Sequence, residues 1–162
     1  MTTRREFSRF GFGGAVLAIA VAATVAGCGS MMPAPSAPAA GSNMVAFTTQ
    51  LRGANEVPPV VSQGSGTVDA ALNKDTMQLK WKVTYSGMTG PATMGHFHGP
   101  AAVGANAGVA LGWANPVMTG MEGSAILTTA QAADLMAGRW YANIHSAAFP
   151  GGELRGQMTV RN

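Results

Sequence analysis

Two histidines stand one residue apart in GHFHGPA (residues 95–101), and the third of the chain's three lies in YANIHSAAFPGGELRG (141–156). On a β-strand, residues i and i+2 project from one face. His96 and His98 would therefore point together, with Phe97 opposite. A strand carrying His145 beside them would bring three imidazoles to one place. Three neutral imidazoles suit zinc or copper. Glu153 would add an oxygen, and the 11 methionines are soft donors for Cu(I) as well as good core filler. The same residues also carry a structural reading. Histidines between glycines can fix a tight turn by bonding to the backbone. His145, near Asn143, could pair with Arg155, Glu153 or loop carbonyls. No cysteine or aspartate cluster joins the three histidines, so the residues alone favour structural rings, each nitrogen aimed at a separate group. Asn143, Glu153 and Arg155 are the supporting residues in either case.

Other chemistry is thin. Ser146 beside His145 lacks a nucleophile elbow and an obvious acid partner. GANAGVALG (104–112) is rich in glycine but lacks the lysine and following helix of a phosphate loop. The expectation is a protein that is not an enzyme.

The elements that would hold these residues begin after an unusual leader. Arg4, Arg5 and Arg9 precede an apolar run from about Gly11 to Ala26, the layout of an export signal. TRREF (3–7) resembles a twin-arginine export motif. VAGC (25–28) resembles a lipobox, with Cys28, the only cysteine, as the lipidated residue. The expected division is a signal peptide over 1–27, a lipidated Cys28 and flexible linker over 28–43, and one domain over 44–162. The linker GSMMPAPSAPAAGSN (29–43) is too rich in Pro, Ala, Ser and Gly to bury a core. The expected location is extracytoplasmic, tethered to a membrane by lipid, in the periplasm or at the cell surface. Cleavage leaves seven Lys/Arg against six Asp/Glu, so the basic balance belongs largely to the leader. Nucleic-acid binding is not expected.

Within the domain, TMQLKWKVTYSG (76–87) alternates apolar and polar residues with a period of two from Met77 to Tyr85. The turn residues Asn73 to Asp75 join it to GTVDAAL (66–72), which predicts a hairpin. MVAFTTQL (44–51) reads as a first strand, and EVPPVVSQGSG (56–66) as a loop. GRWYANIHS (138–146) and GELRGQMTV (152–160) predict a second hairpin around Pro-Gly-Gly. TTAQAADLMAG predicts one short helix near 129–137, capped by a threonine and closed by Gly138. Many short strands with such turns indicate a sandwich or barrel.

These motifs together resemble the CHRD domain, a module of chordin and of secreted bacterial proteins. His96, His98, Gly99 and Pro100 stand in its H-x-H-G-P-A motif, and Tyr141, Asn143 and His145 in Y-x-N-x-H. Pro150, Gly152, Glu153, Arg155 and Gly156 match the P-x-G-E-[IL]-R-G-Q segment, and LRGANEVPPV (51–60) resembles the family's opening. The resemblance implies an all-β, immunoglobulin-like sandwich or barrel without established enzymatic activity, and no cofactor is expected other than copper or zinc in the alternative below. Residues and resemblance together give a non-enzymatic binding or envelope-structural role, toward an unknown extracellular or periplasmic partner. The alternative is a copper- or zinc-binding protein using His96, His98 and His145.

Overall fold

The computed structural model describes residues 43–161. The signal-peptide, lipidation and linker expectations fall on residues outside this range. The described chain forms nine strands: β1 (Met44–Arg52), β2 (Ser65–Asn73), β3 (Gln78–Ser86), β4 (Ala92–His98), β5 (Val109–Gly112), β6 (Glu122–Ile126), β7 (Tyr141–Ser146), β8 (Leu154–Gln157) and β9 (Thr159–Val160). All pairings are antiparallel, in the order β5-β4-β7-β8-β1-β2-β3-β6, with β9 beside β1. Four strands separate β4 from β3, yet the Phe97 and Trp81 rings meet at 5.5 Å. The sheet therefore curls on itself, and the fold is the expected all-β barrel-like architecture.

Alternation drives the closure. Phe47 and Leu51 of β1, Val68 and Leu72 of β2, and Leu79, Trp81 and Val83 of β3 all turn into the core. Lys80 and Lys82 stay outside. Burying one such apolar side chain contributes about 1.5–3 kcal/mol. Strand β3 begins one residue later than its pattern suggests. Met77 belongs to the turn, at φ 55, rather than to the strand.

The single α-helix of the described residues, α1 (Thr129–Met136), follows its sequence signals. Thr128 and Gln131 cap each other reciprocally, and Gly138 closes the end at φ 68. Gln131 also donates to the Ala110 carbonyl at 3.1 Å, tying the helix to β5.

Phe97 is the link between core and site. It is fully buried and meets Trp81, Trp113 and Trp140, with centroids 5.2–5.9 Å away. Gly95, two residues earlier, lies flat against Trp113. Because β4 anchors Gly95 and Phe97 inward, Met94, His96 and His98 must project from the opposite face.

Candidate metal centre

The outward face of β4, β7 and β8 is not open surface. Two loops cover it, the one leading from the 3-10 turn Gly53–Asn55 toward β2 and the one between β4 and β5, joined where Asn106 donates to the Val57 carbonyl at 3.1 Å. Between sheet and loops lies a layer of polar side chains. Strand pairing sets their order: Met94 faces His145, His96 faces Asn143 and His98 faces Tyr141, while Asn143 faces Arg155 on its other side.

That register gathers the three histidines, although 49 residues separate His96 from His145. Each offers one ring nitrogen to a group whose members all lie within 4.8 Å of one another. Nδ1 of His96 is 3.3 Å from Nε2 of His145. The His96 ring stands edge-on to both others, at centroid distances of 5.5 Å and 5.2 Å.

The backbone fixes two of the three tautomers. A carbonyl only accepts, so a ring nitrogen bonded to one must carry the proton. Nδ1 of His98 donates to Ala107 O at 3.0 Å, and Nδ1 of His145 donates to Pro150 O at 2.9 Å. In each neutral ring the other nitrogen, Nε2, then carries a lone pair. Nε2 of His98 is buried and has no hydrogen-bond partner. This is the outer arrangement that orients metal-binding imidazoles. His96 donates from Nδ1 to His145. Moving that proton to Nε2 gives His96 an inward lone pair as well. Ligands about 2.0–2.1 Å from one tetrahedral ion stand ~3.3 Å apart, so nitrogens up to 4.8 Å apart would have to draw closer to share one.

Electrostatics favours the neutral form of His96 and His98. Burial holds the His96 imidazole below its ordinary pKa, and His145 and His98 push it the same way. Burial also lowers His98, opposed by the accepting Ala107 carbonyl. Neutral imidazoles are the ligating form.

The supporting residues take different places. Glu153 is fully buried, but it does not reach the histidines. Its Oε1 accepts from Ser62, from the Thr89 backbone and from the Thr89 hydroxyl, and its Oε2 accepts from Ser146. The expected oxygen ligand is thus a brace between β7 and two loops. Burial raises its carboxyl, and these donors outweigh burial and bring it below its usual range. Ser146, also sealed from solvent, is its partner and not a nucleophile.

Arg155 backs the site. Its guanidinium lies 3.5 Å from the centre of the Tyr141 ring, and Tyr141 in turn stacks on His98 at 4.8 Å with an interplanar angle of 3°. Its donors go to Asn106 Oδ1 at 2.7 Å and Ala105 O at 2.5 Å. The pile of guanidinium, phenol and imidazole holds the His98 ring in plane.

Asn143 donates to Glu56 Oε1 at 2.6 Å. Glu56 went unnoticed as a site residue because it sits far away in sequence, in a segment that reads only as a loop. Its signals were a carboxylate beside a proline pair and its place in LRGANEVPPV, the segment that resembles the family's opening. Burial raises its carboxyl from the ordinary 4.5 to about 7, against the pull of Arg155 and the Asn143 hydrogen bond.

A curled antiparallel sheet with a layer of polar side chains beneath two loops defines an all-β class of domain. The family comparison agrees: the CHRD domain matches residues 47–158, and the chain belongs to that family. The match spans every site residue described above. Comparison with curated proteins and with solved structures gives no match.

Proposed function

We propose that this CHRD domain is a lipid-anchored, extracytoplasmic metal-binding module in which His96, His98 and His145 hold one transition-metal ion, copper or zinc. The observation that carries this reading is the buried Nε2 of His98. It bears a lone pair, has no partner, and belongs to a group of three nitrogens within 4.8 Å of one another. A purely structural histidine would direct both nitrogens to separate groups, as a buried polar atom without a partner costs about 1–3 kcal/mol. Bound metal would satisfy it. The ion would sit behind the loops that carry Ala107 and Pro150, whose carbonyls set the tautomers. The anchor rests on the sequence: a hydrophobic run ending in Cys28, then a segment rich in Pro, Ala, Ser and Gly.

The test is metal content. The purified chain, incubated with copper or zinc and desalted, should retain one ion. His98→Ala and His145→Ala should each weaken retention by more than the roughly 10–100-fold that loss of an outer hydrogen-bond partner costs. Retention equal to that of the wild type in both variants would refute the site.

A further inference from the structure

We infer that the resident metal is copper in its Cu(I) state, and that Met94 is the residue that selects it. This rests on the three-histidine reading above and narrows it to one ion.

The first observation is position. Met94 is the direct cross-strand partner of His145, and it lies on the β4 face that carries His96 and His98. Side chains paired in this way have Cβ atoms about 4.5–5.5 Å apart. Methionine is unbranched with three rotatable bonds, so its sulfur can swing toward the neighbouring imidazole.

The second observation is that packing does not explain Met94. It is 40% exposed, whereas Met158 is fully buried in the core. Gly95 and Phe97 take the core-facing positions of the same strand. Met94 is therefore a thioether at the edge of an imidazole cluster, outside the core.

The third observation is charge. The three histidines form a neutral ligand set. The two nearby buried carboxylates are committed elsewhere, Glu153 to Ser62, Thr89 and Ser146, and Glu56 to Asn143. A fixed positive charge stands one ring away from His98: Arg155, stacked on Tyr141, which is stacked on His98. A divalent ion here would place two positive charges beside a guanidinium with no anionic ligand. A monovalent ion places one. Desolvated charge without a partner is costly, so the site discriminates by valence. Imidazole with thioether is also the softer donor set, which suits Cu(I) over the borderline zinc ion.

The experiment uses the chain in competition with chromogenic or fluorescent chelators, Cu(I) under anaerobic reducing conditions and Zn(II) separately, with wild type and Met94→Leu. Leucine keeps the volume and removes the sulfur, and the exposed position tolerates it. The expected result is that Cu(I) displaces Zn(II) from the wild type. Met94→Leu should weaken Cu(I) by roughly tenfold or more, within the range of a lost supporting ligand, and leave Zn(II) nearly unchanged. X-ray absorption should show a sulfur neighbour on copper that vanishes in the variant. Unchanged Cu(I) affinity in Met94→Leu, an equal loss for both metals, or a preference for Zn(II) in the wild type would overturn the inference while leaving the three-histidine site standing. A wild-type chain that binds neither ion overturns both.

Discussion

Nδ1 of His96 lies 3.3 Å from Nε2 of His145, across 49 residues of sequence, and only one proton can sit between them. The Pro150 carbonyl holds the His145 proton on the far nitrogen, so the shared proton belongs to His96. A second proton, on His145 Nε2, would leave two N–H donors facing each other with no acceptor between them.

This pairing sets a pH dependence. Burial and neighbouring imidazoles lower the pKa values of His96 and His98. Protons then compete with metal less than they would at an exposed histidine, whose pKa is about 6.5. Metal release from the loaded chain should have its midpoint below that value, followed by titration against a weak chelator. The metal-free fold follows the same sign. Below about 6.5 the unfolded chain binds protons that the folded rings resist, so stability falls as pH falls through that window. Release beginning above the ordinary histidine range would contradict this electrostatic account.

Glu56 predicts the opposite slope. Its folded pKa is raised to about 7, so between 4.5 and about 7 the folded state holds a proton that the unfolded state releases. Stability from this group is full below the unfolded value and is lost as pH rises through the folded one. Glu56→Gln removes that loss. The variant should gain on the order of 3 kcal/mol over wild type at pH above 7, with the gain fading toward pH 4.5. Urea unfolding at both ends of the range checks it. A pH-independent difference would mean that the Asn143 contact, and not the charge, governs this position.

The fold was legible where periodicity was long. The alternation through Trp81 and the Pro-Gly-Gly hairpin of β7 and β8 needed only local signals. The strands β5 and β6, four and five residues long, carried too little pattern to detect. At the site, the sequence placed His96 and His98 on one face because i and i+2 alternate. It offered nothing to say that Ala107 and Pro150 supply carbonyls, or that Glu153 turns to Ser62 and Thr89. Those partners come from loops, whose paths depend on contacts between distant residues. The expected structural histidines account for the Nδ1 atoms of His98 and His145 on loop carbonyls and for the His96–His145 contact, while Nε2 of His98 has no partner.

Two glycines test how β4 aims the histidines. A Cβ at Gly95 would meet Trp113 Cε3 at 2.2 Å, and that ring packs on Phe97. A Cβ at Gly112, the strand partner of His96, would meet nothing within 4 Å. Gly95→Ala should cost about 1–3 kcal/mol by overpacking and weaken metal binding, because β4 must shift beneath Met94 and His96. Gly112→Ala should leave both nearly unchanged. Thermal melts with parallel metal titrations separate the two. Equal behaviour of the two variants would mean that the Trp113 contact does not set the position of the strand.

The membrane attachment is testable without reference to the fold. Arg4, Arg5 and Arg9, the apolar run and Cys28 resemble an export and lipidation signal, and a segment rich in Pro, Ala, Ser and Gly follows. Among the described residues no helix is long and apolar enough to cross a membrane; the attachment proposed above is through acyl chains at Cys28. Each buried CH₂ contributes about 0.8 kcal/mol, and stable anchoring takes more than one chain. Cys28→Ser removes the attachment point while leaving the domain from 44 onward intact. In cell fractionation the wild type should sediment with membranes, and the variant should appear in the soluble extracytoplasmic fraction with its metal site unaltered. A Cys28→Ser protein that still sediments with membranes would show that something other than lipid holds the chain there.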